Sequence, residues 1–218
     1  MPSARITRAA GLAGVLAAIL IVAGLYLSGI GSGAPAAGAD AASWSDWARK
    51  HEGPIEVGVY LLLFPGLLLF LGMFSALVGL LPTPATSTRL ATYGAVSFFM
   101  LFAGGAALAS TSASTHGFYA AFDDPGALTV LTFVTAGYHF QALGVWSLSL
   151  TMISTAVALR ASGAISSSLF GASIGLAVLA AAANLIGVGI IFGSIWILGA
   201  GMALVRWAPS EHVPARAT

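Results

Sequence analysis

A long apolar stretch near the carboxyl end decides how many times this chain can cross a membrane. Residues 168–207 read SLFGASIGLAVLAAAANLIGVGIIFGSIWILGAGMALVRW, and Arg206 is their only charged residue. A helix needs ~20 apolar residues to cross ~30 Å of hydrocarbon. The stretch therefore suffices for two short spans if the turn between them is tight. Asn184, Gly187 and Gly189 suit such a turn, because both residue types tolerate positive φ; one tilted helix is the alternative.

The composition of the whole chain points to the same class of protein. Of its 218 residues, 58% are hydrophobic and 7% charged, whereas soluble domains carry ~25% charged residues. A net charge of +1 is too small to hold a nucleic-acid backbone. The chain has no cysteine, which excludes disulfides, thiolate metal sites and cysteine nucleophiles. We therefore predict an all-α, polytopic membrane helical bundle rather than a soluble enzyme.

Six apolar segments are long enough, or nearly so, to span a membrane. They cover about residues 9–28, 54–81, 90–110, 136–159, 168–186 and 189–207, which together form a single transmembrane domain over residues 1–207. Residues 208–218 contain two prolines and no apolar period, so they are predicted to form a disordered tail.

The charged residues orient these six spans. Lysine and arginine near spans are retained on the cytoplasmic side, and six spans place six of the eight basic residues together on one side: Arg5, Arg8, Arg89, Arg160, Arg206 and Arg216. Six of the seven acidic residues fall on the other side. We therefore predict that both termini are cytoplasmic in a plasma-membrane protein. A cleaved signal peptide ending near Ala37-Gly38-Ala39 is the alternative for the first span.

The first outer loop contains a short amphipathic segment, Ser43–Glu52. Trp44, Trp47, Ala48 and His51 fall at helical spacing on one face. Tryptophan favours the headgroup region, so the segment is predicted to form a short helix on the outer interface. A helix that binds a partner is the alternative.

Span four carries a polar stripe. The members of this stripe recur at spacings of three and four, which puts them on one helix face predicted to point into the bundle: Thr132, Thr135, His139, Ala142, Trp146 and Ser149. His139 lies near the outer edge of the hydrocarbon, counting back from Arg160. An intramembrane ionisable residue is a functional candidate, and a neutral histidine bonded to a nearby threonine or carbonyl is the structural alternative.

Glu56 begins span two, and with His139 it is a candidate catalytic residue at the mouth of an aromatic cavity. The cavity would lie between spans two, three and four, lined by Tyr60, Phe64, Phe98, Phe102, Tyr138, Phe140 and Trp146. A buried protonated carboxyl can start a cyclisation, and aromatic faces stabilise cations, so the substrate would be an isoprenoid. Glu56 as a simple helix-start carboxylate and ordinary aromatic packing are the alternatives. Pro65 predicts a kink in span two.

Several outer-side residues are of types that bind metals. The candidate ligands are His51, His116, Asp123, Asp124 and His139, and such residues could also hold haem. No pair has a diagnostic spacing, so we assign no metal and predict no cofactor.

Glycines at multiples of four mark helix contacts. Gly171 and Gly175 lie in span five, and Gly189, Gly193 and Gly201 in span six. Small residues at this spacing let membrane helices approach closely. We expect contacts within the chain, with a membrane protein partner or homo-oligomer as the other possibility.

The order of these features resembles a large family of six-span bacterial membrane proteins, frequent in actinomycetes. The likeness rests on Arg5–Gly11, on Trp47–Gly53 before the second span, on Ala158–Gly163 closing span four, and on Ile195-Trp196 in a last span ending in Arg206-Trp207. No activity is assigned to that family, so the resemblance implies an architecture and not a mechanism.

The spans carry no charged residue at their centres, whereas ion-coupled transporters commonly have one. We therefore expect a non-enzymatic accessory subunit or a small-molecule permease, and within this class the accessory subunit is favoured. The membrane-embedded enzyme described above and an outer-face metal or haem protein are the alternatives.

The topology can be tested directly, because the chain has no native cysteine. Ser114→Cys is expected to react with an impermeant thiol reagent on intact cells, and Ser162→Cys only after permeabilisation. The reverse labelling pattern would contradict the orientation.

Overall fold

The computed structural model describes residues 4–36, 38–81, 85–114 and 126–206, and all regular structure in these ranges is helical. Of the residues singled out above, Ala37, His116, Asp123, Asp124, Trp207 and the tail 208–218 lie outside the described residues. Apart from two 3₁₀ turns, these ranges contain seven helices: α1 (Ala4–Ser28), α2 (Ala41–Lys50), α3 (Glu52–Val78), α4 (Thr86–Ser114), α5 (Ala127–Ala161), α6 (Ser167–Ala183) and α7 (Gly189–Arg206). All except α2 are long and apolar enough to cross a membrane, if α6 is counted with the 3₁₀ turn Asn184–Ile186.

Neighbouring spans run antiparallel, which brings the basic residues of the described spans to one end of the bundle, whereas Arg49 and Lys50 of α2 lie at the other. α1 packs between α3 and α7, α4 packs along α5, and α6 and α7 adjoin α5. Gly11 of α1 faces Val205 of α7, and Gly94 of α4 faces Thr151 of α5. The start of α1 therefore lies beside the end of α7, and the start of α4 beside the end of α5. We call this the basic end, and the opposite one, where α2 lies, the α2 end.

The turn between α6 and α7 forms where the sequence predicted it. Asn184 begins the 3₁₀ turn, and Gly187 follows with a φ of 78°. Gly189 packs so closely on the carbonyl of Ala180 that no Cβ would fit. The Asn184 side chain is also anchored, since its Nδ2 donates to the carbonyl oxygen of Ala142 at 2.9 Å. Two antiparallel helices, and not one tilted helix, therefore form.

Helix α5 is longer than the predicted fourth span. It has 35 residues, or ~52 Å of helix, and begins at Ala127 rather than near residue 136. Its first turns are held by α2, because Val130 and Val134 pack in one buried cluster with Trp44 and Trp47. The part of α5 before about Gln141 thus extends past the α6–α7 turn.

The polar stripe of α5 does not point into the bundle, so that prediction is wrong. Thr132, Thr135, His139 and Trp146 are exposed, Ala142 is half-buried and Ser149 is buried. α4 instead packs on a different face of α5, where Gly137 and Gly144 leave room for its backbone. Close approach to a glycine face buries more surface than a stripe of bulky polar residues allows.

Span two is irregular before Pro65. Residues Val57–Leu63 form a π-helix, and the N–H of Phe64 donates to the carbonyl of Val59 five residues earlier. Proline removes the next backbone donor and crowds the preceding turn, and a π segment is one of the features at which helices change direction. A π segment thus precedes Pro65, where the sequence predicts a kink.

Pairs of glycines set the distance between helices at their crossings. A Cβ added to Gly24 of α1 would lie 2.6 Å from the carbonyl oxygen of Gly58 in α3, and one added to Gly58 would lie 2.7 Å from that of Gly24. Gly105 of α4 and Gly137 of α5 are related in the same way. These backbones are in direct contact.

The glycines predicted at helix contacts divide into two groups. Gly189, Gly193 and Gly201 pack inside the chain, on Ala180, Leu148 and the backbone of α1 respectively. Gly171 and Gly175 of α6 are exposed, with nothing within 4 Å of an added Cβ.

We expect Gly24→Ala and Gly58→Ala each to destabilise the protein by about 1–3 kcal/mol, because the added methyl overpacks a backbone contact. The measurement is the midpoint of thermal unfolding in detergent. Gly72→Ala is the matched control: Gly72 is exposed on α3 with open space around it, so its midpoint should not fall. Equal midpoints for all three variants would contradict the contact.

Candidate functional site

A cavity of about 70 Å³ lies at the α2 end of the bundle. Four spans and α2 contribute to its wall. The lining residues are Leu25, Ser28 and Gly29 near the end of α1, Trp47 of α2, Ile55, Val59 and Leu63 of α3, Ala106, Ala109 and Ser110 of α4, and Val134, Tyr138 and Gln141 of α5.

The depth of the cavity follows from its position along α5. Gln141 precedes Ala142, whose carbonyl is bonded to the α6–α7 turn. About 28 Å of helix separates Gln141 from Arg160 at the basic end, close to the ~30 Å thickness of bilayer hydrocarbon. If Arg160 marks one hydrocarbon edge, the cavity lies near the other.

Helix α2 forms one wall and is itself fixed to the bundle. Asp40 caps it by accepting from the backbone N–H of Ser43 at 2.7 Å, and this bond lowers the pKa of the Asp40 carboxyl. Trp44, Trp47 and Ala48 are buried against α5. The apolar face predicted to contact lipid or a partner is therefore occupied by the chain itself.

Trp47 presents its ring, but not its N–H, to the cavity. Its Nε1–H donates to the carbonyl of Ser32 at 2.9 Å, which ties the first loop to α2. Trp44 packs edge-on between Trp47 and Tyr138, with ring centroids 5.6 Å and 6.0 Å away. The Trp44 ring thus connects two residues that line the cavity, Trp47 and Tyr138; Tyr138 is 43% exposed and lies at the mouth.

The π segment of α3 forms the facing wall. Val59 and Leu63 line the cavity from this segment, and both are buried. Tyr60, also in the segment, is hydrogen-bonded to Ser110 of α4 through their hydroxyls, at 3.3 Å. The widened helix is thus linked to α4 beside the cavity.

The cavity wall carries no charge, and some of its polar side chains have no hydrogen-bond partner in the described part of the chain. No charged side chain is among the lining residues, and Tyr138 has the only acidic group. Ser28 donates to the carbonyl of Gly24 at 2.8 Å. In the described part of the chain, neither the Tyr138 hydroxyl nor the Gln141 amide has a hydrogen-bond partner.

The aromatic residues predicted to line a cavity are mostly placed elsewhere. Of the seven, only Tyr138 lines this one. Phe98 and Phe102 are buried in the main core, where Phe98 packs edge-on against Phe70 at 5.2 Å. The remaining members are partly buried or exposed at its margins: Tyr60, Phe64, Phe140 and Trp146.

The two candidate catalytic residues do not meet at the cavity. Neither Glu56 nor His139 is among the lining residues. His139 is exposed, and its Nδ1 is 2.8 Å from the carbonyl oxygen of Thr135. A carbonyl only accepts, so Nδ1–H is the donor, which is the hydrogen bond expected from the structural alternative.

The metal-binding candidates are likewise dispersed in the described ranges. His51 donates Nδ1–H to the carbonyl of Trp47 at 3.0 Å. No group of three or more histidine, cysteine, aspartate or glutamate side chains comes together among residues 4–36, 38–81, 85–114 and 126–206.

Sequence reasoning missed Ser28, Trp47 and Gln141 as cavity residues. The amphipathic pattern around Trp47 was a usable signal, but it does not say which surface the tryptophan covers. Ser28 ends an apolar helix, and Gln141 does not belong to the polar stripe of span four, so the patterns considered above did not identify either residue.

The size of the cavity limits what it can bind. Sites for drug-sized ligands occupy ~300–1,000 Å³, several times the about 70 Å³ present. An isoprenoid long enough to cyclise does not fit without movement of the helices.

No family model, curated protein or solved structure matches the chain.

We expect Trp47→Phe to lower stability by about 1–3 kcal/mol, because the buried carbonyl of Ser32 loses its donor. The measurement is the thermal unfolding midpoint, together with the rate of proteolytic cleavage in the loop before α2. Trp44→Phe is the control, since the Trp44 indole makes no hydrogen bond to another described residue. If the loop is cleaved no faster in Trp47→Phe than in Trp44→Phe, the anchoring role is wrong.

Proposed function

We propose that this chain is a multi-pass protein of the cytoplasmic membrane that acts as a non-enzymatic accessory subunit, and that α6 contacts its partner. One observation carries the proposal. In an apolar stretch of 18 residues within α6 and its 3₁₀ turn, 11% of the residues are buried. In the corresponding stretches of the other five candidate spans, 33% to 56% are buried. The helix is attached along one side and leaves most of its surface uncovered.

The uncovered surface has the composition of a helix contact. Gly171 and Gly175 are one turn apart on α6, exposed, with open space around them. Small residues so spaced allow a second membrane helix to approach closely. Gly189 and Gly193 are buried within the chain and are not available. The occupant we propose is a transmembrane helix of another membrane protein.

The permease hypothesis has less support. The polar residues of the described ranges that are buried as a whole are serine or threonine, and the one buried carboxylate oxygen without a partner there, on Glu52, lies beside α2 rather than deep in a span. Substrate or ion pathways are more often marked by buried ionisable groups within the spans. The cavity lies at the α2 end and none of its lining residues belongs to α6 or α7.

The enzyme hypothesis would need Glu56 or His139 next to a cavity that accepts a substrate, and neither lines the one described. The enzyme hypothesis would be refuted if Glu56→Gln and His139→Ala left every assayed activity unchanged. The metal or haem hypothesis would be removed by purified protein without Soret absorption or stoichiometric metal.

The orientation and the family resemblance belong to the same proposal. The gathering of Arg5, Arg8, Arg89, Arg160 and Arg206 at the basic end supports a cytoplasmic location for that end. An accessory role is compatible with a six-span family that has no assigned activity.

The experiment is purification in mild detergent from the native host, with the mass of the complex measured by light scattering. We expect a complex larger than the 21.9 kDa chain, containing a second membrane protein. Gly171→Leu with Gly175→Leu should release that protein, because the larger side chains separate the helices.

Gly72→Leu is the matched control, since Gly72 is also exposed with open space around it, but on α3. It should retain the partner. A chain that purifies alone, or a partner released equally by both variants, would refute the role of α6. A complex of identical chains would show a homo-oligomer and contradict the accessory role.

A further inference from the structure

We propose that the cavity at the α2 end binds the hydroxyl-bearing end group of a small polyol, such as the glycerol head group of a membrane lipid. This inference does not depend on the accessory role. It rests on the volume of the cavity, on its unpaired hydrogen-bonding groups and on its depth.

The volume admits only a small group. About 70 Å³ holds roughly five water-sized groups, at ~10–15 Å³ each. The end of a glycerol unit, with its carbons and two hydroxyls, is of that size. A sugar ring or a folded alkyl chain is larger.

The polar groups in the wall match hydroxyls. The Tyr138 hydroxyl and the Gln141 amide can each donate and accept. The Ser28 hydroxyl donates its hydrogen bond to the carbonyl of Gly24, so its oxygen remains an acceptor. A hydroxyl also donates and accepts, so it can pair with such a mixed set. A phosphate needs donors, and an ammonium needs acceptors or a counter-charge. No charged side chain lines the cavity to bind either ion.

A bound polyol would give hydrogen-bond partners to side chains that have none within the described protein. Bonds from its hydroxyls to Tyr138 and Gln141 would replace bonds to water, while Val59, Leu63 and the Trp47 ring cover its carbons. The Trp47 N–H is already committed to Ser32, so this wall offers only apolar contact.

The depth of the cavity brings a lipid head group within reach. It lies near the edge of the hydrocarbon, as the position of Gln141 on α5 indicates, and Tyr138 is half-exposed at its mouth. The polyol can come from a lipid or from free glycerol in solution. Both offer the same hydroxyl chemistry, and the two arms of the test separate them.

In the lipid arm, the full-length protein is purified in mild detergent with equal amounts of phosphatidylglycerol and phosphatidylcholine. Retained lipids are counted by native mass spectrometry. We expect retention of phosphatidylglycerol to exceed that of phosphatidylcholine by about tenfold, and Tyr138→Phe with Gln141→Leu to abolish the preference, because two hydrogen bonds are lost. Tyr26→Phe is the matched control, since Tyr26 is exposed near the same end of α1 and does not line the cavity.

In the free-polyol arm, glycerol is added and the thermal unfolding midpoint is measured. A larger upward shift in the wild type than in the double variant, without a lipid preference, supports the hydroxyl site with a soluble ligand. A lipid preference that survives the double variant overturns the proposal. The proposal is also overturned if the wild type shows neither a lipid preference nor a larger glycerol shift than the double variant.

Tyr138→Phe alone keeps the ring on Trp44 and serves if the double variant does not fold. It should reduce the lipid preference about threefold, as expected for one hydrogen bond. A fully retained preference in this variant, together with an unchanged glycerol shift, would refute the role of the hydroxyl.

Discussion

Helices α1 and α3 touch backbone to backbone where Gly24 meets Gly58, and the same kind of contact joins α4 to α5 at Gly105 and Gly137. In lipid, apolar side chains gain little by leaving one apolar surface for another, so helices associate through close van der Waals packing. A missing Cβ on both sides of a crossing brings many backbone atoms into contact at once. A comparable contact joins α7 to α1 at Gly201 and Gly11.

The crossings also decide which face of each helix is available for function. On α5, α4 packs against Gly137 and Gly144, so the polar stripe that includes His139 lies outside the bundle. Tyr138, next to His139 in the chain, consequently lies at the mouth of the cavity. A residue that is conspicuous in the sequence is therefore peripheral, and its neighbour becomes part of the site.

The cavity exists because three irregular features meet at the α2 end. The π segment of α3 widens that helix before Pro65, the long α5 extends beyond the α6–α7 turn, and α2 covers the gap with Trp47. Regular helices of equal length, packed through small residues, would have closed this space. The irregularity leaves Tyr138 and Gln141 without hydrogen-bond partners in the described part of the chain.

The peripheral position of α6 has a related origin. Its neighbours α5 and α7 are already engaged by α4 and α1 through glycine contacts, so α6 packs on what remains of their surface. Gly171 and Gly175 have the same spacing as glycines that pack inside the chain. Spacing alone does not distinguish an internal contact from an open one.

By itself, the sequence determined the helical membrane class, the number of spans and the turn at Asn184 and Gly187, because hydropathy, helix length and glycine conformation are local properties. It also predicted a kink at Pro65, and a π segment precedes that proline. The tertiary structure decided that α5 turns its polar stripe outward, that Trp44 and Trp47 are covered by the chain itself, and that Gln141 lines a cavity. These outcomes depend on which helix faces approach most closely, and that is a comparison between distant segments that no local pattern contains.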